Sequence, residues 1–416
     1  MKQLLITLLV VLTSFSLPMR GQTVMTVNVH NSLSIERHSE MGEIELSQIK
    51  KELRLTDTSK LVILNDQDQQ VPYQITYDQK LIFPVTVKAK STQKYTIKTG
   101  TPAQFPTRAY GRQFPERMDD MAWENDLVAF RAYGPTLQTR GEKAFGYDVF
   151  TKYNTPDPVL EARYANETSK EKRAKIAELK KTDPAEADRL AKEISYHVDH
   201  GNGMDCYAVG PTLGGGTSAL MHNDTIVYPY CYKSYEILDN GPLRFTVKLV
   251  FTPLVVGPSS DVIETRIITL DAGSYLNKTE ITYTHLDRKT PIATGLVLHE
   301  ADGKSSTNTQ KRFIAYEDPT TNPKGDNGKI YIGAVFPKKL KETKVDVFSE
   351  KERKELRGGA YGHVLAIGTY HPKETYTYYW GSAWNKAKIK TFNAWEEYLT
   401  SFSEQLRKPL KISIDK

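Results

Sequence analysis

Three stretches decide the fold: PLRFTVKLVF (242–251), DVIETRIITLD (261–271) and YLNKTEITYTHL (275–286). Apolar and polar residues alternate along each, so one set of side chains faces a core and the other faces water. The connections DNGP (239–242) and DAGS (271–274) are short turn sequences, which join antiparallel neighbours and leave no room for a crossover helix. Working outward, IVYPYCYKSYEIL (226–238), ATGLVLHEA (293–301), KIYIGAVF (329–336), GHVLAIGTY (362–370) and TYTYYWGSAW (375–384) repeat the pattern. Long antiparallel strands in this number predict two large packed sheets, an extended β-sandwich. TFNAWEEYLTSFSEQL (391–406) is an amphipathic helix expected to pack across an edge or the linker.

Nearer the N-terminus, VMTVNVHNSL (24–33), KLVILND (60–66), QVPYQITY (70–77), KLIFPVTV (80–87) and QKYTIKTG (93–100) read as a small β-sandwich module over 23–100. The helix SQIKKELRL (47–55) interrupts it, and the proline-containing 101–117 reads as a linker. A large β domain over 118–416 follows. It is interrupted near 158–194 by a polar, helical stretch that predicts two surface helices meeting at Asp183-Pro184. Residues 1–22 have a lysine, an apolar run and a small, polar end, the layout of a cleaved secretory signal. Periplasmic or secreted location is therefore expected, with no membrane span elsewhere, because a span needs about 20 apolar residues. In an exported protein Cys206 and Cys231 are candidates for one disulfide.

The chain has 56 basic and 50 acidic residues, a formal charge of +6. Without a Lys/Arg stripe interleaved with aromatics this does not point to nucleic acid. It suits steering of an acidic glycan or oligosaccharide, and 24 tyrosines suit either sheet surfaces or sugar-stacking clefts. The stretch 196–216 concentrates ionisable residues and glycine: His197, Asp199, His200, Asp205 and Tyr207 precede GPTLGGG. Loops on a rigid sandwich are where binding groups gather. His197, His200 and Asp199 are candidate ligands for a divalent cation, although their spacing matches no zinc signature; the alternative is a loop braced by Asx turns.

A second candidate region is Trp123-Glu124-Asn125-Asp126 with Arg131 and Tyr133, where arginine suits recognition of a uronate carboxylate. Strict alternation keeps Glu124, Asp126 and Arg131 from sharing one face, and a salt bridge between strands explains them equally well. His299 and Glu300, His363, and the strand edge bearing Trp384 and Lys386 complete the candidates. For His299 a satisfied core histidine is the competing explanation.

WENDLVAFRAYGP (123–135), HVDHGNGMDCYAVGPTLGGG (197–216), YYWGSAWNK (378–386), VHNSLSIERHSEMGEIE (29–45) and VPYQITYDQKLIFPVTV (71–87) together resemble the domain-of-unknown-function family 4861. That family is found chiefly in exported proteins of Bacteroidetes polysaccharide-utilisation loci. The resemblance covers nearly the whole mature chain and implies a mainly β fold. The expected architecture is a small N-terminal sandwich followed by a β-supersandwich similar to galactose mutarotase-like domains. It also implies carbohydrate handling. From the residues and the needs of elimination, a lyase acting on a uronate-containing glycan is expected, with His200 or His197 as base, Tyr207 as acid and Arg131 as carboxylate neutraliser. Trp123, Glu124, Asp126, Asp205, His299, His363, Trp384 and Lys386 are expected to hold substrate. A glycoside hydrolase, a mutarotase-like enzyme using His299 or His200 with a carboxylate, and a non-catalytic glycan-binding protein are the alternatives.

Overall fold

The computed structural model describes residues 23–322 and 325–415; the expected signal sequence lies outside them. The fold is mainly β, built from antiparallel sheets in two sandwiches. In the small sandwich, a five-stranded sheet runs in the order Lys411–Asp415, Met25–His30, Thr92–Thr99, Leu61–Leu64, Gln70–Val71. It faces a three-stranded sheet of Arg37–Glu45, Lys80–Val87 and Gln74–Ile75. The alternation in MTVNVH sends Val27 and Val29 into a core with Ile63, Phe83, Val85 and Ile97, and the helix Leu46–Leu53 caps that core with Ile49 and Leu53. The last strand of the chain pairs with the first, Val27 opposite Ile414. Residues assigned from sequence to the C-terminal domain therefore complete the N-terminal sheet.

The large sandwich has a nine-stranded back sheet. Its path is Tyr232–Asn240, Arg244–Phe251, Ser259–Asp271, Leu276–Thr284, Tyr376–Trp384, Ile330–Val335, Phe313–Asp318, Ser305–Asn308, with Leu254–Val256 beside Ser259–Asp271. The front has two parts: a four-stranded sheet (Asp148–Phe150, Ala129–Ala132, Asp120–Asn125, Ala109–Phe114) and a five-stranded one (Thr225–Ile226, Gly215–His222, Thr290–Leu298, Gly362–Tyr370, Glu342–Val347). Single bridges at Tyr147–Gly214 and Phe150–Asp205 splice them through the 196–214 segment, so that segment lines a seam between two sheets. Between front and back, Tyr147 stacks on Trp380 at 4.0 Å, and Trp123, wholly buried, donates from its indole to Asn277 at 2.7 Å. Gly216, at φ +126°, permits this packing: a Cβ there would lie 2.8 Å from that of Trp380.

Three departures from the sequence reading have plain causes. The end of the expected linker is structured, because Ala109–Phe114 pairs along Asp120–Asn125 and Pro115–Arg117 forms the turn between them. The strand read over 226–238 is split into Thr225–Ile226 and Tyr232–Asn240, with Pro229, which cannot donate to a ladder, between them. The insertion holds three helices, Leu160–Thr168, Lys170–Thr182 and Pro184–Ile194. The Asp183-Pro184 break is where the sequence placed it, Asp183 accepting from the Glu186 amide at 3.1 Å. The C-terminal helix Phe392–Arg407 buries Phe392, Trp395 and Leu399; it rests on strand Ile330–Val335, where Gly333 leaves room for Leu399. No described helix is long and apolar enough to cross a membrane.

Candidate functional site

The 196–207 loop is held by its own acidic residues. Asp199 accepts from the amides of Gly201 and Gly203 at 2.9 and 3.1 Å, an Asx brace closing on two glycines with φ of +89° and +99°. Gly203 packs so closely that a Cβ would sit 2.0 Å from the Thr151 carbonyl oxygen. The Tyr153 hydroxyl donates to the other Asp199 oxygen at 3.2 Å. His200 is exposed, its Nε2 3.1 Å from the Ser195 carbonyl. His197 is mostly exposed, its Nδ1 2.9 Å from the Asp205 carbonyl. Among the described residues no three His, Cys, Asp or Glu side chains converge so as to hold a metal ion. The chelating reading of His197, His200 and Asp199 gives way to the braced turn.

Asp205 points inward instead, into a buried cluster at the seam. Arg131 bonds Asp148 and lies 3.1 Å from Asp205 and 3.5 Å from Asp120; the Tyr133 hydroxyl reaches Asp148 at 3.2 Å. All four charged groups are almost fully buried. Three carboxylates face one guanidinium, and burial makes two of them, Asp120 and Asp148, hold a proton more tightly than an ordinary carboxylate. Burial first, partly offset by Arg131, pushes Asp120 up to about 6. Asp148 is likewise raised by burial, partly offset by Arg131 and reinforced by Asp205. Arg131 is thus committed to the protein's own carboxylates, which overturns its expected role as neutraliser of a substrate carboxylate.

The strongest chemical arrangement lies where the five-stranded sheet meets the back sheet. His299 follows strand Thr290–Leu298 and Asp318 ends strand Phe313–Asp318. The His299 Nδ1 is 2.5 Å from a buried Asp318 oxygen, and the ring retains 21% exposure. Asp318 is fixed in turn by the Thr320 amide at 2.8 Å, and the His299 amide donates to the Tyr316 hydroxyl at 3.1 Å. Burial alone would lower the His299 pKa, but the Asp318 carboxylate and a hydrogen bond to the Ala208 backbone outweigh it and raise it. The ring of Tyr207 meets that of His299 edge-on at 5.7 Å. The Tyr207 hydroxyl is buried with no hydrogen-bond partner among the described atoms. Burial, with Asp318 and Asp148 nearby, holds it well above 10 and therefore protonated.

Other sequence candidates have structural duties. Trp123 is core, not a sugar platform. Glu124 forms a buried pair with Lys152 at 2.8 Å and accepts from the amides of Val159 and Leu160, capping the helix Leu160–Thr168. Asp126 pairs with Arg108 at 2.5 Å and accepts from the Gly273 amide. His363 is wholly buried and accepts from the Leu213 amide at 3.1 Å; burial drives its pKa down to about 3, so it is neutral. Trp384 is nearly buried, donating to the Asn327 carbonyl at 2.7 Å, and its ring meets that of Tyr153 at 4.9 Å. Lys386 pairs with Asp326 at 3.2 Å. Cys206 and Cys231 are both buried and free. The sequence reading missed Asp318, Asp148 and Asp120, which stand in ordinary strand sequence and acquire meaning only from partners on other strands.

Fold and site together define a double β-sandwich protein with a carboxylate-braced histidine at the seam of its larger sandwich. The chain belongs to the family described as "Domain of unknown function (DUF4861)", which it matches over residues 29–412. It is 27% identical over 406 residues to "Uncharacterized protein P7" of Formosa agariphila, and the match covers 93% of each chain. Among solved structures it is similar to a protein in the glycosyl hydrolase family 38 from Enterococcus faecalis (9% identity, TM-score 0.43). It is also similar to an α-mannosidase from E. faecalis V583 (8% identity, TM-score 0.42). Each similarity covers 95% of this chain and about half of the other, 48% and 46% respectively.

Proposed function

We propose that this chain is an exported, carbohydrate-active enzyme that works by proton transfer on a glycan, with His299 as the acid/base group. Asp318 positions the ring, and the buried, protonated Tyr207 packs edge-on beside it. The observation that carries this reading is the His299–Asp318 contact at 2.5 Å, on a side chain that keeps 21% of its surface exposed. A buried carboxylate behind a histidine fixes its tautomer and strengthens its grip on a proton. With its pKa raised, His299 is suited to donate a proton to a sugar oxygen as an imidazolium, the step that hydrolysis or mutarotation requires. Elimination on a uronate-containing glycan is the second reading, with His299 acting as base. There neutral His299 takes the proton from the carbon beside the carboxylate, a carbon–carbon double bond forms, and the leaving oxygen takes a proton from water, since the Tyr207 hydroxyl is buried. The commitment of Arg131 to Asp120, Asp148 and Asp205 weighs against elimination, since it removes the expected carboxylate partner.

The test incubates the protein, His299→Gln and Asp318→Asn with acidic and neutral oligosaccharides. Near-ultraviolet absorbance reads elimination, reducing ends read hydrolysis, and anomer ratios by NMR read mutarotation. Turnover that disappears in His299→Gln supports the proposal, and whichever readout moves names the reaction. Wild-type turnover that survives the substitution refutes it.

A further inference from the structure

The larger sandwich carries a second feature at its opposite end. His299 follows the end of strand Thr290–Leu298, whereas Thr290 at its start pairs with Tyr370, about 30 Å away at the usual rise per strand residue. Beyond Tyr370 lies a cleft of about 310 Å³ between segment 336–341 and the hairpin joining Gly362–Tyr370 to Tyr376–Trp384. That volume is at the small end for a ligand site and suits one or two sugar rings.

Lys338, Lys339, Lys341 and His371 line the cleft, and Glu374 is the one carboxylate among its lining residues. Glu374 pairs with Lys338 at 3.1 Å, so Lys339 and Lys341 are left in excess. Both are exposed. The wall is aromatic: half-buried Tyr376 lies against Gly368, where a Cβ would stand 3.3 Å from its ring. A cationic rim over an aromatic wall suits a saccharide with an anionic substituent, the ring resting on the apolar surface and the anion on the lysines. We infer that this cleft is a second, non-catalytic binding site for an acidic oligosaccharide carrying carboxylate or sulfate groups. The anionic part rests on the lysines alone; the saccharide part rests on the carbohydrate-active reading.

The experiment is calorimetric titration of the full chain with an oligogalacturonate tetrasaccharide, a sulfated tetrasaccharide, a neutral tetrasaccharide and inorganic sulfate. The same titrations are run on Lys338→Gln/Lys339→Gln/Lys341→Gln. These lysines are surface side chains, and an unchanged melting curve checks that the variant is folded. The expected result is binding of at least one acidic tetrasaccharide, weakened at least tenfold in the triple variant and by added salt, with turnover on short substrates retained. Which acidic probe binds tells carboxylate from sulfate. Equal affinity in the triple variant, equal affinity for the neutral tetrasaccharide, or binding of no probe overturns the site and leaves any His299-dependent turnover standing. Sulfate alone binding as tightly as the tetrasaccharides overturns the saccharide assignment.

Discussion

The 196–207 loop and the His299–Asp318 pair both set a histidine beside a carboxylate, and they differ in what backs the ring. In the loop, His197 and His200 contact backbone carbonyls and stand largely in water, while Asp199 is spent on two glycine amides. At the seam, two strands of facing sheets bring His299 against a buried Asp318 that has few alternatives. Water screens an exposed pair, whereas a buried carboxylate acts through a low dielectric and a fixed geometry. A rigid pair across two sheets is therefore the better proton-transfer device, even though the loop holds more ionisable residues.

That contrast can be broken most directly by kinetics. His299→Gln is expected to lower kcat by about 10²–10⁴-fold, the range of a lost general acid–base group, while His200→Ala and His197→Ala stay within a few-fold of wild type. The reverse pattern would return the site to the loop. The pH profile sharpens the same comparison: because the His299 pKa is raised, a donor role keeps activity to higher pH than an ordinary histidine would and loses it as pH rises through that pKa. An elimination base gives the opposite slope.

Next in size is the buried cluster beneath the loop. Arg131→Met leaves three carboxylates without their cation and is expected to cost about 3–5 kcal/mol, read by denaturant unfolding; a loss below 1 kcal/mol would show that the cluster is not held by Arg131. A smaller effect, with a defined sign, belongs to Asp120. Its folded pKa is raised to about 6, so the folded state binds its proton more tightly than the unfolded chain. Its favourable contribution is complete below the ordinary carboxylate range and is lost as pH rises through about 6. Asp120→Asn should flatten that slope, giving a higher melting midpoint than wild type at pH 8 and no gain at pH 4. The smallest change is expected at the rim, where Lys386→Ala removes a pair with the exposed Asp326 and should shift stability by less than about 1 kcal/mol.

Much of the fold was legible along the chain. Period-two alternation in 242–286 marked the long strands, the small module showed in MTVNVH and KLIFPVTV, and Asp183-Pro184 marked a helix start. The site was less legible. Trp123 and Trp384 read as sugar platforms because sequence gives ring type and not exposure; both are packed inside. Glu124 read as a substrate carboxylate and instead caps a helix about thirty-five residues later in the chain. Asp318 carried no local signal, since FIAYED looks like any buried strand with a polar end.

The sequence by itself determined the period of each segment, the places where proline and glycine end strands and start helices, and the membership of the family. Tertiary structure alone decided that the last strand closes the first sheet, that Arg131 meets three aspartates, and that His299 meets Asp318 nineteen positions away. Alternation and turn chemistry act between near neighbours and are written locally. A charge pair depends on which strands become neighbours and on how much water their packing removes, and both are properties of the assembled sheets.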